Sequence, residues 1–183
     1  LSMTVKEYIF AHIAETTRKS DGKDPDLVVL PKPYTVPSIK DSFQEMYYWD
    51  TYFYNMGLIL WGKTEYAKNN IENMFYLIEK YGFMPNGSRT FYLNRSQPPF
   101  LSQMVRDLFE VTCDKEWLSR AYKTLCKEYD FWQSKRAMSN GLNGYTGYDI
   151  WENIIKSNYN YFVKRTGYTT DREVDYDLQK EIY

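Results

Sequence analysis

The chain has 183 residues, a formal net charge of −1 at pH 7 and an isoelectric point near 6.0. This length allows one domain with a substantial core, and without a basic excess we expect no nucleic-acid partner. No apolar run approaches the roughly 20 residues of a membrane span, and the N-terminus lacks the apolar core of a signal peptide, so we expect no membrane partner.

The first predicted element is a helix over residues 3–18, with Val5, Tyr8, Ile9 and Ile13 on or near one face. His12 lies near the same face, and we expect it to be a packing residue. A polar break follows. Residues 27–37 contain three prolines, which exclude helix and predict an extended arm that wraps the surface of the domain.

Helical patterns then dominate the chain. Residues 48–61 are mostly apolar and predict a buried helix that ends at Gly62. Thr64 is the predicted N-cap of the next helix, which stops at Gly82. Its predicted inner stripe consists of Ala67, Ile71, Met74, Phe75 and Ile78.

A long loop over residues 83–97 leads to a helix over residues 98–112, because proline is tolerated in the first helical turn. Asp114 then caps a long helix that runs to about residue 136. Its predicted inner residues are Trp117, Ala121, Leu125, Tyr129 and Trp132. Residues 139–147 are rich in turns, and residues 149–168 are ambiguous.

Residues 170–173 form a capping box that opens a last helix, which has no stop signal before Tyr183. The pattern predicts an all-α structure of helical hairpins with functional loops at one end, an arrangement typical of an α/α toroid. We treat residues 1–183 as a single fragment, in which residues 1–40 form the N-terminal helix and arm. Exposed apolar faces, including the last helix with Val174, Leu178 and Ile182, would favour self-association.

Cysteine and histidine offer little reactive chemistry. Cys113 and Cys126 are the only cysteines. On a helix they would lie about 20 Å apart along the axis, too far for a disulfide. We expect free core thiols in a reducing compartment, and hence a cytoplasmic location. His12 is the only histidine, so the chain has too few residues for a Cys/His zinc site or a histidine-activated nucleophile. Any catalysis is therefore expected to use carboxylates.

Two segments, residues 45–53 and 85–99, combine aromatic rings with charged and amide groups. Apolar rings beside fixed hydrogen-bonding groups suit a sugar, which has apolar C–H faces and a rim of hydroxyls. The Tyr-Tyr-Trp-Asp run at residues 47–50 and the Arg-Ser-Gln-Pro-Pro run at residues 95–99 closely resemble the signatures of trehalases, inverting glycosidases that split trehalose. The resemblance covers residues 42–105 and continues more weakly to residue 145.

The resemblance implies an (α/α)6 barrel with its active site at the wide end, of which this chain would be about the first half. It implies hydrolysis of trehalose or a related α-glucoside with inversion, a small carbohydrate substrate and no metal or organic cofactor. It carries substrate-binding roles onto seven residues: Phe43, Tyr47, Trp49, Asp50, Asn86, Arg95 and Gln97. For each residue alone, a structural role such as helix capping or ion pairing is the alternative.

The catalytic motifs of the family, unlike its substrate-binding motifs, are absent from this chain. An inverting glycosidase holds two carboxyl groups about 6.5–9.5 Å apart, with water between one of them and the sugar. In trehalases these are an Asp after Ser-Gly-Trp and a later Glu, and neither motif occurs in this chain. The dipeptides most similar to these motifs are Trp49-Asp50 and Trp151-Glu152. We therefore expect the catalytic pair to lie beyond Tyr183.

Two departures bear on specificity. Trehalases usually have Gly-Gly-Arg-Phe before the first signature, whereas this chain has Lys-Asp-Ser-Phe at residues 40–43, so Ser42 replaces an arginine that contacts substrate. Ser88 stands where the family often has Asn. A counterpart of the family's Arg-Pro-Glu segment is found at residues 165–167, without the Glu. A non-catalytic sugar-binding module and a helical protein-binding scaffold remain alternatives, although no fixed-period repeat supports the scaffold.

Overall fold

The structure is a computed structural model that describes residues 3–145. Its elements in chain order are α1 (Val5–His12), β1 (Thr17–Arg18), β2 (Tyr34–Thr35), α2 (Tyr48–Leu60), α3 (Thr64–Tyr81), α4 (Leu101–Thr112) and α5 (Lys115–Lys135). The strands β1 and β2 form a short antiparallel pair, in which Thr17 is opposite Thr35. No helix in this part of the chain is long and apolar enough to span a membrane.

The four long helices form two hairpins. Very short connections join α2 to α3 and α4 to α5, so each pair runs antiparallel. The first helices of the hairpins contact each other, α2 with α4, and so do the second helices, α3 with α5. This side-by-side repetition of hairpins produces two layers of helices and confirms the all-α prediction.

The core lies between these layers. Helix α3 buries Ala67, Ile71, Met74 and Ile78, as predicted, whereas Phe75 is only half-buried. The other large residues that are almost fully buried include Tyr48, Leu58, Leu77, Leu101, Met104, Leu108 and Trp117. Gly82 ends α3 with a φ of 82°, a left-handed conformation that glycine adopts without strain.

The arm over residues 27–37 is extended, as predicted, but it is not confined to the surface. Its Val28, Leu30, Tyr34 and Val36 are all buried in the core. The proline-rich backbone forms only the short pairing of β2 with β1, and side-chain amides of α3 satisfy further backbone groups of the arm. Asn73 pairs with both backbone groups of Lys32 at 3.0 Å each. Asn70 likewise accepts a hydrogen bond from the Thr35 N–H at 2.9 Å.

The N-terminal helix is shorter than predicted. A 3₁₀ turn over Ile13–Thr16 and the strand β1 follow α1, and α1 itself buries no residue. Val5 is 77% exposed. His12 stacks on the Tyr8 ring at 4.1 Å and is hydrogen-bonded to the Tyr8 carbonyl, in keeping with a packing role.

Helix α2 begins at Tyr48, as predicted, and of the N-terminal features predicted for α3, α4 and α5 one is confirmed. Asp114 accepts a hydrogen bond from the Trp117 N–H at 2.9 Å and so caps α5. The N-cap of α3 is Lys63, because Thr64 already has helical geometry. Helix α4 begins at Leu101, after both prolines, because Phe100 takes the N-cap position.

Burial differs from the sequence expectation in two helices. Helix α2 buries only Tyr48, Thr51, Asn55 and Leu58, and the opposite face of this mostly apolar helix is exposed. On α5 the inner side contains Trp117, Ala121, Thr124, Glu128 and Trp132, while Tyr129 is 64% exposed. Both described cysteines are free, but Cys113 is exposed at the end of α4, so it is not a core thiol.

The expected last helix, the ambiguous stretch from residue 149, Glu152 and the segment over residues 165–167 lie outside the described residues. Part of the turn-rich segment is described, and Ala137 and Asn143 form an antiparallel bridge in it.

Candidate functional site

The two signature segments pair with each other at the start of α2. The Ser88 N–H donates to the Met46 carbonyl at 2.8 Å, and the Tyr48 N–H donates to the Asn86 carbonyl at 3.1 Å. The Ser88 hydroxyl oxygen accepts a further bond from the Met46 N–H at 3.0 Å. Ser88, one of the departures from the family pattern, therefore holds the two segments side by side.

Gly87 makes this pairing possible. A Cβ atom at Gly87 would lie 2.9 Å from the Met46 carbonyl oxygen and 3.1 Å from the Tyr92 ring. The Met46 backbone and the Tyr92 ring leave no room for a side chain at this position. The Pro-Asn-Gly run therefore needs glycine here.

Gln97 connects the end of the second segment to the first turn of α2. Its Oε1 accepts hydrogen bonds from the backbone N–H groups of Tyr48 and Trp49, both at 3.0 Å. These groups have no partner within the helix, and the N-cap Tyr47 supplies no side-chain bond. Gln97 thus acts as an external cap, and its amide nitrogen is the group left to contact a ligand.

An aromatic cluster surrounds Tyr47. The rings of Phe43 and Tyr92 lie 5.9 Å and 5.6 Å from it, edge to face. The Tyr47 hydroxyl donates to Glu45 Oε1 at 2.5 Å and lies 2.9 Å from the Tyr92 hydroxyl. Burial and the hydrogen bond to Glu45 raise the pKa of Tyr47 far above its ordinary value, so the phenol keeps its proton.

Asn86 and Arg95 belong to the loop that carries Tyr92. The Asn86 N–H donates to the Arg95 carbonyl at 3.0 Å, which closes the loop between them. The Arg95 guanidinium lies over the Tyr92 ring at 5.3 Å and donates from Nη2 to the Phe91 carbonyl at 3.2 Å. Both side chains are half-buried, so each retains surface for a ligand.

Trp49 and Asp50 occupy the first turn of α2. The Trp49 ring is 43% exposed and contacts the Phe53 ring at 6.3 Å. The Asp50 carboxylate makes no hydrogen bond or ion pair with any residue in the described part of the chain. It lines a cleft of about 370 Å³ together with Phe53, Tyr54 and the arm residues Thr35 to Pro37. A carboxylate in a first helical turn is stabilised by the helix dipole.

The structure therefore brings six of the seven predicted residues into one contact network: Phe43, Tyr47, Trp49, Asn86, Arg95 and Gln97. Asp50 is next to Trp49 in the same turn, but its carboxylate lies in the arm cleft, which none of the other six lines.

A buried charged group that was not predicted from the sequence contacts this network through Glu45. Arg89 donates from Nη1 to Asp24 Oδ2 at 3.0 Å, and its Nε lies 3.1 Å from Glu45 Oε2. Glu45 is fully buried and Arg89 nearly so. Burial alone would lower the pKa of Arg89, but Glu45 and Asp24 raise it above its ordinary value. The sequence does contain a signal for this ion pair, because each signature segment includes one of its members, Glu45 in the first and Arg89 in the second.

The segment before the first signature carries backbone strain where it departs from the family pattern. Asp41 has a φ of 71° and Phe43 a φ of 59°. Asp41 stands at the second glycine of Gly-Gly-Arg-Phe, and the left-handed region costs any other residue free energy, although Asp tolerates it better than most. The left-handed backbone conformation at position 41 therefore explains why the family has a glycine there.

Residues 3–145 contain no group of three or more His, Cys, Asp or Glu residues that could hold a metal ion. The described site offers rings, amides, one guanidinium and one carboxylate, which suit hydrogen bonding and stacking on a neutral polyol.

Comparison with known proteins identifies the family. The family described as Trehalase matches residues 2–173, which is nearly the whole chain. This chain belongs to the trehalase family. The fragment corresponds to the N-terminal part of the family domain.

Individual trehalases are similar at moderate identity. A probable trehalase from Oryza sativa subsp. japonica is 45% identical over 60% of this chain and 19% of its own length. The trehalase of Arabidopsis thaliana is 38% identical over 73% of this chain and 21% of its own length. A periplasmic trehalase of Xanthomonas campestris is 45% identical over 58% of this chain and 18% of its own length. The matched segment thus spans about a fifth of these relatives.

A solved structure supports the fold. The neutral trehalase Nth1 from Saccharomyces cerevisiae matches 75% of this chain and 28% of its own, with a TM-score of 0.58 and 31% identity. The two hairpins of this trehalase segment are therefore part of an (α/α)6 barrel, which confirms the predicted fold class.

Proposed function

We propose that a complete trehalase domain containing this segment hydrolyses trehalose or a related α-glucoside with inversion. The observation that carries the proposal is the contact network at the start of α2, where rings, amides and a guanidinium from two distant segments come together. The similarity to plant, bacterial and fungal trehalases supports the same reaction.

Each of the seven residues has a proposed role. Trp49 offers an exposed ring face for the apolar side of a sugar, and Phe43 and Tyr47 shape the adjoining wall. Asp50 accepts hydroxyl hydrogen bonds, Asn86 and the Gln97 amide nitrogen donate, and Arg95 presents a forked donor. In this proposal the catalytic acid and base are supplied from outside residues 1–183.

The test is kinetic and uses a chimera. Residues 2–173 replace the matched segment in a complete trehalase domain, and released glucose is assayed. Asp50→Ala and Arg95→Ala should each lower kcat/KM, because each removes a polar contact to substrate. The decrease should correspond to a loss of roughly 2–4 kcal/mol of transition-state binding. The exposed pair Asp130→Ala and Arg120→Ala serves as matched controls. Unchanged kcat/KM in both test variants would refute the proposed roles.

The stereochemistry provides an independent test. Inversion at one anomeric carbon of trehalose releases one β-glucose and one α-glucose, whereas retention releases only the α anomer. Proton NMR within the first minutes, before mutarotation, distinguishes them.

Ser42 is proposed to broaden specificity. Substituting Ser42→Arg in the chimera should restore the family's substrate contact and raise kcat/KM for trehalose relative to other α-glucosides. Ser38→Arg, on the same segment, is the control. An equal change for all substrates would mean that Ser42 does not set specificity.

The isolated chain should not hydrolyse trehalose, because an inverting mechanism needs both a proton donor for the leaving oxygen and a base for water. Turnover by purified chain that is lost in Asp50→Asn or Glu152→Gln would place the catalytic pair inside it. A cytoplasmic location is likewise proposed from the free thiols, and subcellular fractionation of the native protein tests it.

A further inference from the structure

A second cavity lies away from the signature segments, between the start of α4 and the last turns of α5. It measures about 300 Å³, a size that accepts a small molecule, and none of the predicted site residues lines it. Its walls include Ser102 from α4, Glu128 and Trp132 from α5, and Asn143 and Tyr145 from the turn that follows.

Glu128 is the unusual member of this wall. It is only 5% exposed, yet no ion pair with it occurs within residues 3–145. Its Oε1 accepts a hydrogen bond from the Tyr48 hydroxyl, which in turn accepts from the Leu101 N–H at 3.1 Å. No hydrogen bond to Oε2 is present in the described structure. A buried carboxylate without a countercharge is costly, and here the residue lines an open space.

The wall also offers acceptors to a ligand, beside the mixed donor and acceptor groups of Gln133 and the two phenols. The Asn143 amide nitrogen already donates to the Trp132 carbonyl at 2.7 Å, which leaves its oxygen available. The Ser102 hydroxyl donates to Gln103 at 2.8 Å, which leaves its lone pairs. Among the described residues that line this cavity there is no lysine or arginine. The wall therefore suits a ligand that donates hydrogen bonds and carries no negative charge.

Aromatic rings complete the wall. The Trp132 and Tyr145 rings meet edge to face at 5.5 Å. Tyr129, one helical turn before Trp132, also lines the cavity. Ring faces beside a carboxylate attract an organic cation, because the ring quadrupole and the carboxylate both stabilise positive charge.

We propose that the α4–α5 cavity binds a small protonated primary amine, whose ammonium group pairs with Glu128 and Asn143 and whose carbon body packs against Trp132 and Tyr145. This site is separate from the proposed sugar site and does not depend on the proposed function.

The first experiment is isothermal titration calorimetry of the 183-residue chain with n-butylammonium chloride, and with uncharged n-butanol for comparison. Burial raises the pKa of Glu128 to about 7, and within residues 3–145 the other titratable groups that contact it or line the same cavity are the phenols of Tyr48, Tyr129 and Tyr145. Its ionised fraction, and hence the butylammonium affinity, should rise about tenfold from pH 6 to pH 8.

Variants locate the binding. Glu128→Gln keeps an acceptor for Tyr48 and should abolish both the binding and its pH dependence, whereas the exposed Glu116→Gln on the same helix should change neither. Tyr145→Ala, at a half-exposed ring, should weaken binding several-fold. NMR of the tryptophan indole N–H signals should show the Trp132 signal shifting on titration.

Equal affinity for butanol and butylammonium, or unchanged binding by Glu128→Gln, would overturn the proposal. Binding of glucose that is lost in Glu128→Gln would also overturn it, since the cavity would then be a sugar site.

Discussion

At the scale of single residues, the site depends on the buried ion pair between Arg89 and Glu45. Arg89 ties Asp24, in the turn before the arm, to Glu45, in the first signature. Glu45 in turn orients the Tyr47 hydroxyl. The aromatic wall of the proposed sugar site is therefore held in place by an ion pair behind it.

Removing one partner of such a pair should be costly. Arg89→Met leaves the fully buried Glu45 without its countercharge, and we expect the free energy of unfolding to fall by roughly 3–5 kcal/mol. Lys127→Met, which removes the exposed pair with Glu79, should change it by less than about 1 kcal/mol. Urea denaturation of both variants measures the contrast, and equal effects would show that burial of the pair is unimportant.

Glu128 should make stability depend on pH. Burial raises its pKa from the ordinary 4.5 to about 7. Between these values the folded state holds a proton that the unfolded state releases, so stability should fall as pH rises through this window.

Relative to Glu128→Gln, the native chain should lose up to about 3 kcal/mol between pH 4.5 and pH 7 and no more above it. Urea titrations across this range measure the difference. Parallel pH profiles for the two proteins would contradict the prediction, and Glu116→Gln is the control.

At the scale of elements, α2 receives its N-terminal cap from a residue far along the chain. Gln97 takes the place of a local Ser, Thr, Asp or Asn cap, because the N-cap position is occupied by Tyr47. The cap thereby ties the second signature to the helix that carries Trp49 and Asp50.

Loss of this cap should weaken the element and the site together. Gln97→Ala should reduce the free energy of unfolding by about 1 kcal/mol, whereas Gln97→Glu keeps an acceptor at a helix N-terminus and should be nearly neutral. Thermal denaturation followed by circular dichroism compares them. If Glu and Ala are equally destabilising, capping is not the role of Gln97.

At the scale of the whole molecule, α2 presents an uncovered apolar stripe. Its members follow at intervals of four, three and four residues, and each is at least 41% exposed: Trp49, Phe53, Met56 and Leu60. A stripe with this spacing packs well against another helix, and exposed apolar patches promote association.

We therefore expect the isolated chain to self-associate through this face. Analytical ultracentrifugation should show a concentration-dependent dimer that Met56→Lys with Leu60→Lys converts to monomer. Val111→Lys, at an equally exposed apolar position on α4, should leave the dimer intact. A wild-type chain that is monomeric at every concentration would exclude self-association.

Sequence patterns by themselves determined the four long helices of the described part of this protein. The stops at Gly62 and Gly82, the cap at Asp114 and the inner stripe of α3 are local effects of backbone conformation and helical periodicity. The family motifs also marked the residues of the proposed sugar site, because rings and amides in fixed order are readable without coordinates.

Tertiary structure decided what those residues contact. Gln97 caps a helix that begins 49 positions earlier, and Glu128 meets Tyr48 across 80 positions. No local pattern encodes such pairs, since they arise only when the hairpins pack. The same packing buried the arm and left one face of α2 exposed, because burial is settled by which neighbours arrive and not by hydrophobicity alone.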